Sequence, residues 1–69
     1  MVFNYSKLKG KIIEKYGTQR RFAEEYGISK QMWSYKIRGH NGMAVKDIIK
    51  ISEMLGITKD EIGEYFFTV

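Results

Sequence analysis

The stretch Thr18–Gly39, TQRRFAEEYGISKQMWSYKIRG, decides the fold, because it predicts two short helices joined by a tight turn. Ala23 is small enough for two helices to cross closely. Gly27 follows where the chain must turn with a positive φ. Ser29 is placed to cap the second helix by accepting a backbone hydrogen bond. The stretch therefore predicts a helix-turn-helix unit over about residues 18–39.

Apolar residues at helical spacing predict three further helices, and so an all-α domain of five helices. The first is expected from a Ser6 cap to about Lys15 and the fourth over about 45–55. Thr58 and Glu61 have the spacing of a capping box, which predicts the start of a short fifth helix. Ile62, Tyr65 and Phe66 on that helix are expected to face the core or a partner. The other residues expected to point inward are Leu8, Ile12, Ile13, Tyr16, Phe22, Ala23, Tyr26, Ile28, Trp33, Ile37, Val45, Ile48, Ile49, Ile51 or Ser52, and Leu55.

Length and composition exclude several classes of protein. The 69 residues contain no Cys and one His, so we expect one small domain over 1–69 without a disulfide or a zinc site. No run approaches the roughly 18 apolar residues of a membrane helix, and the N-terminus lacks the apolar core of a signal peptide. A cytoplasmic protein without membrane contact is therefore expected. No serine has a general base beside it and no loop has P-loop spacing, so we expect no enzyme, cofactor or small-molecule ligand.

The net charge of +4 is unevenly distributed. Residues 1–41 hold nine Lys and Arg against three Glu, whereas residues 42–69 hold three Lys against five acidic residues. A basic half suits a polyanionic partner such as nucleic acid. The alternative is an ordinary solvated surface, and the charge by itself leaves both interpretations open.

The central stretch resembles the DNA-binding motif of the lambda-type Cro/repressor helix-turn-helix family. The residues that carry the resemblance are Gln19, Ala23, Gly27 and Ile28–Ser29. It continues in KIRG after the third helix, in Leu55-Gly56 and in the C-terminal EIGEYFF, as in short Cro-like phage or prophage proteins. The resemblance implies a compact lambda-repressor-like domain with the helix-turn-helix as helices 2 and 3. It also implies a sequence-specific transcriptional regulator that binds double-stranded operator DNA in the bacterial host, at the nucleoid.

The third helix carries the residues expected to contact DNA. In projection, Gln31, Tyr35 and Arg38 fall opposite the core anchors Trp33 and Ile37. Amide and ammonium groups suit adenine and guanine edges, although the same face could be no more than solvated. The resemblance implies base contacts for Lys30, Gln31, Ser34 and Tyr35. Candidate phosphate contacts are Gln19, which by resemblance can also brace a residue of the third helix, and Arg20, Arg21, Arg38, His40, Asn41 and Lys46.

The C-terminal residues 65–69, YFFTV, are unusually apolar for a chain end. They either fold back to close the core or mediate dimerisation through Tyr65, Phe66 and Phe67. We expect a homodimer on an inverted-repeat operator, as in many small helix-turn-helix proteins. The rival hypothesis is a protein-interaction module on the same fold, which binds and modulates another phage repressor. A third hypothesis is non-specific DNA packaging.

Overall fold

The computed structural model describes residues 3–38 and 43–68. Its five α-helices are α1 (Ser6–Tyr16), α2 (Gln19–Tyr26), α3 (Lys30–Ile37), α4 (Val45–Leu55) and α5 (Ile62–Phe66), with a 3-10 turn at Lys59–Glu61 before α5. The described residues contain no β-strand, so the predicted all-α class is confirmed. The predicted bounds of α4 are also confirmed, and α3 ends at Ile37, within the stretch 18–39 from which it was predicted.

Short polar side chains begin α2 and α3, and glycine ends α2; the roles of Ser29 and Gly27 agree with the prediction. The hydroxyl of Thr18 accepts a hydrogen bond from the Arg21 amide at 3.1 Å. The hydroxyl of Ser29 accepts one from the Met32 amide, also at 3.1 Å. Gly27 ends α2 with φ 98°, a conformation that other residues rarely adopt. The turn between α2 and α3 therefore follows from local chemistry alone.

The start of α1 differs from the prediction, and the capping box predicted for the fifth helix opens the 3-10 turn before α5. Ser6 is the first helical residue, and its amide donates to Oδ1 of Asn4 at 2.9 Å. Asn4 therefore supplies the side-chain oxygen that was expected from Ser6, because its short amide reaches two residues along the chain. The predicted capping box of Thr58 and Glu61 is present, with both of its hydrogen bonds formed.

An aromatic cluster holds α1, α2 and α3 together. The ring of Phe22 lies edge-on to Trp33, with 4.9 Å between centroids, and edge-on to Tyr16 at 5.2 Å. Trp33 and Phe22 are fully buried, which gives α3 its only wholly buried side chain among the described residues. Such edge-to-face pairs add to the stabilisation that burial alone provides. The buried apolar residues of the core are Tyr5, Leu8, Ile12, Phe22, Ala23, Tyr26, Trp33, Ile48, Ile51, Leu55, Ile57, Tyr65 and Phe66.

Two of the apolar residues of α4 that were expected in the core are exposed. Val45 is 72% exposed and Ile49 54%, whereas Asp47 and Ser52 are buried. The helix is rotated toward the latter pair because Asp47 has hydrogen-bond partners in the interior. Ile13 of α1 is likewise exposed rather than buried, since Leu8 and Ile12 already form the inward stripe of that helix.

The two ends of the described chain lie against each other. The Asn4 amide donates to the Thr68 carbonyl at 2.6 Å, and the rings of Phe3 and Phe67 meet edge-on at 6.2 Å. Phe66 is only 1% exposed, so this end of the chain folds back to close the core. In the described part of the chain, no helix is long and apolar enough to cross a membrane.

Candidate functional site

A groove of about 390 Å³ opens beside α3 and the first half of α4. The C-terminal residue of α2 contributes to one wall, and the turn before α3 contributes Ile28. Apolar, cationic and anionic side chains therefore meet in one surface depression. The residues that line it are Tyr26, Ile28, Met32, Lys36, Lys46, Asp47 and Lys50.

A carboxylate lies at the buried side of this groove. Asp47 is only 3% exposed, and its Oδ1 accepts a hydrogen bond from the hydroxyl of Tyr26. Its Oδ2 accepts a hydrogen bond from Nζ of Lys36 at 3.1 Å. Buried charges are stable only with such partners. Asp47 consequently connects α4 to both α2 and α3, and it fixes the shape of the groove.

Burial and hydrogen bonding set the ionisation states of Asp47 and Tyr26. Burial acts to raise the pKa of Asp47, but the hydrogen bonds from Tyr26 and Lys36 and the positive charge of Lys36 outweigh it, so the pKa lies below its ordinary value. For Tyr26, burial first and then the hydrogen bond to the carboxylate raise the pKa above its ordinary value. At neutral pH the site thus holds a carboxylate and a neutral phenol.

Lys50 completes the groove from α4. Its Nζ donates to the carbonyl of Tyr26 at 2.8 Å, at the end of α2, where carbonyl groups lack helical partners. The same ammonium group lies 4.5 Å from the centroid of the Tyr26 ring. Lys50 therefore stabilises the end of α2 and also contributes positive charge to the groove.

The segment that forms most of this groove is basic. Residues 30–50 contain five Lys and Arg against a single acidic residue, Asp47, which gives the same +4 as the whole chain. The remaining residues hold seven basic and seven acidic side chains. The described part of this segment, which includes α3, Arg38 and the start of α4, is thus a basic part of the chain.

The four predicted base-contacting residues lie on α3. Lys30, Gln31 and Tyr35 are exposed, and Ser34 is partly buried at the flank of the same helix. They share the solvent side of α3, and none of them lines the groove. The structure therefore brings them together as a surface, beside the groove rather than within it.

Gln19, predicted to contact phosphate and to brace the third helix, forms an internal hydrogen bond. Its Oε1 accepts from Nε1 of Trp33 at 2.9 Å. Of the other predicted phosphate contacts, Arg20, Arg21, Arg38 and Lys46 are exposed, and only Lys46 lines the groove. His40 and Asn41 lie outside the described residues.

The predicted dimerisation residues are mostly internal. Tyr65 and Phe66 are buried in the core, because α5 closes the domain against α1 and α4. Phe67 is 56% exposed and packs edge-on to Phe3. The first two aromatic residues stabilise the fold and offer no surface to a second molecule.

Sequence reasoning missed most of the groove. Tyr26 was expected only in the core, and Met32, Asp47 and Lys50 were not singled out. One sequence feature could have indicated the site: Lys46 and Lys50 are four apart, and the Asp47 between them is an acidic residue in the first turn of a helix. Its partners on α2 and α3 could not be inferred from spacing, since they depend on how the helices pack.

Comparison with known proteins gives a family and a similar structure. A family model described as "Protein of unknown function (DUF739)" matches residues 1–69. The solution structure of the modulator of repression (MOR) of the temperate bacteriophage TP901-1 from Lactococcus lactis is similar, with a TM-score of 0.84 and 37% sequence identity. That match covers 97% of this chain and 90% of the phage protein. No curated protein matches the chain.

This similarity overturns the predicted partner. We expected double-stranded operator DNA, bound by a homodimer, but the similar phage protein is named for modulating repression, which points to a protein partner. The prediction of operator DNA as the partner is wrong. The physical reason is that a helical scaffold of this kind does not specify its ligand, which depends on the surface residues it presents.

Proposed function

The chain belongs to the DUF739 family, and we propose that it modulates phage repression by binding a repressor protein. The observation that supports this proposal most strongly is the similarity to the modulator of repression, which extends over nearly the whole of both chains. At this level of identity the likeness concerns the sequence as well as the fold. A chain of this size acts through its surface, and a repressor is the partner that the name of the similar protein indicates.

In this proposal α2, the turn at Gly27 and α3 form a helix-turn-helix unit that presents a protein-binding surface. The hydrogen bond between Gln19 and Trp33 supports a fixed position of α3 against α2. The exposed side of α3 then offers Met32 and Tyr35 beside polar residues. Large flexible and aromatic side chains are the kind that protein interfaces favour.

The proposal assigns no catalytic activity and no cofactor to the chain. The protein would act on the repressor as a ligand does, because binding to one conformational state of the repressor increases the population of that state. The size of the effect depends only on the difference in affinity between the states. Direct measurement of binding is therefore the appropriate test.

The test uses the purified chain, the repressor from the same phage or prophage genome, and a duplex carrying the operator of that repressor. We expect a complex in isothermal titration calorimetry, and a changed mobility shift of the repressor–operator complex when the chain is added. The chain alone should leave the duplex unshifted at near-physiological salt. Absence of a complex with the repressor would refute the proposal.

A further inference from the structure

We propose that the groove beside α3 and α4 receives an acidic, amphipathic segment of the repressor, with carboxylates flanking an apolar side chain. This inference rests on the proposed function, because it names the surface through which the repressor is bound. Two properties of the groove support it. One is an exposed apolar wall, and the other is uncompensated positive charge along one edge.

The apolar wall is formed by Met32 and the partly buried Ile28, next to the ring of Tyr26. Met32 is 53% exposed, although it lies one residue before the fully buried Trp33. An unbranched thioether adapts its shape to an incoming side chain, which is why methionine is common on protein-binding surfaces. The wall consequently fits one apolar side chain of a partner.

The charged edge is formed by Lys46 and Lys50, which are four residues apart on α4 and both exposed. Within the residues that the structure describes, the ammonium group of Lys46 has neither an ion pair nor a hydrogen bond. Side chains at this spacing lie on one side of a helix, so they match two carboxylates at the same spacing on a partner helix. Complementary charge of this kind steers association and fixes the orientation of the partner.

The groove is better suited to a protein segment than to a nucleic acid. Asp47 already neutralises Lys36, so the positive charge that the groove offers is confined to Lys46 and Lys50, which matches a short acidic segment better than a continuous phosphate backbone. A phosphate would also leave the exposed Met32 without an apolar partner. An amphipathic protein segment satisfies the charged edge and the apolar wall together.

The experiment measures repressor binding by calorimetry for the wild type and two groove variants, Lys46→Glu and Met32→Ala. Each has a matched control outside the groove. Lys9→Glu makes the same charge change on the exposed side of α1, and Phe67→Ala removes a comparably exposed apolar side chain. Circular dichroism establishes that all four variants fold before binding is measured.

We expect Lys46→Glu to weaken repressor binding about tenfold or more, with a reduced dependence on salt. We expect roughly a fivefold loss for Met32→Ala, because truncation removes an apolar contact at the interface. Lys9→Glu and Phe67→Ala should each remain within about twofold of the wild type.

The outcomes separate this inference from the proposed function. If the wild type binds the repressor and the groove variants bind as tightly as their controls, the groove is refuted and the proposed function stands. If the wild type does not bind the repressor, the proposed function fails and the inference fails with it. If Lys9→Glu weakens binding as much as Lys46→Glu, the attraction is diffuse and the groove is again refuted. Equally tight binding of a random-sequence duplex at about 150 mM salt, lost in Lys46→Glu, would assign the groove to nucleic acid and overturn the inference.

Discussion

The indole Nε1 of Trp33 donates a 2.9 Å hydrogen bond to Oε1 of Gln19, which joins the middle of α3 to the first residue of α2. Trp33 is fully buried, so its N–H depends on this acceptor. The burial of Trp33 and this bond together constrain the rotation of α3 about its own axis. That rotation decides which side chains of α3 are presented to a partner.

Replacing Gln19 by Ala should lower the free energy of unfolding by about 1–3 kcal/mol, because the indole N–H of Trp33 would be left buried without an acceptor. Gln19→Glu keeps an oxygen at the same position and should lower the free energy of unfolding by less than Gln19→Ala does. Urea denaturation followed by Trp33 fluorescence measures both variants. Equal stability of Gln19→Ala and the wild type would show that the N–H finds another partner.

Two glycines should respond in opposite directions to replacement by alanine. Gly10 is an exposed residue within α1 and Gly27 has φ 98°, and neither has a neighbouring atom within 4 Å of an added Cβ. Gly10→Ala should stabilise the protein by about 0.5–1 kcal/mol, because it restricts the unfolded chain. Gly27→Ala should destabilise it by about 1–2 kcal/mol, because of the left-handed backbone. Thermal denaturation of both variants measures the difference, and a shift in the same direction would contradict the assigned conformations.

Phe66, the last residue of α5, and Phe67, which follows it, should differ strongly in their effect on stability. Phe66→Ala should lower the free energy of unfolding by about 3–5 kcal/mol, because it opens a cavity in the core. Phe67→Ala should lower it by about 1 kcal/mol or less, since that ring is more than half exposed.

For a chain of 69 residues the loss at Phe66 approaches the total stability, so Phe66→Leu is the more measurable variant. It should retain the fold with a lower denaturation midpoint. Comparable losses at positions 66 and 67 would show that the end of the chain is packed differently.

The ion pair between Asp47 and Lys36 should make the stability of the protein depend on pH in the acidic range. Because the folded-state pKa of Asp47 is lowered, its contribution is complete above the ordinary value of 3.8 and is lost as the pH falls below that value. We expect the melting temperature of the wild type to fall in this range. Asp47→Asn should be less stable at pH 7 and should show a shallower decline between about pH 5 and pH 2.

The surface variant Asp60→Asn serves as a comparison for this measurement. Its carboxyl is exposed in the 3-10 turn, so its removal should change stability at pH 7 by less than about 0.5 kcal/mol. If the melting temperatures of Asp47→Asn and the wild type fell identically with decreasing pH, the buried carboxylate would not be the cause of the acid dependence.

Local rules predicted the helices well because each bound depends on a few neighbouring atoms. Thr18 and Ser29 cap the helices that follow them, and Gly27 ends α2 with a positive φ. Periodicity was less reliable for α4, where Val45 and Ile49 were expected inside and are exposed. Periodicity ranks residues by hydrophobicity, and it cannot register a buried carboxylate whose partners come from other helices.

The candidate site was less predictable than the fold for the same reason. The groove depends on the contacts of Asp47 with Tyr26 and Lys36, and these three residues belong to three different helices. The partner was predicted wrongly because the α2–turn–α3 pattern specifies a scaffold. What that scaffold binds depends on exposed side chains such as Met32, which helical periodicity leaves unassigned.

The bond between Asn4 and Thr68 has a consequence for how the protein folds. It closes a loop that contains nearly all the described chain, and the Lys7–Glu64 ion pair closes another across a sequence separation of 57. The entropic cost of closing a loop rises only slowly with loop length, but it must be overcome before these contacts can form. Helices α2 and α3, which meet through neighbouring residues, are able to associate earlier. Since α5 fills the core only when both ends meet, we expect the last step to join all the helices, so that the domain unfolds as one cooperative unit.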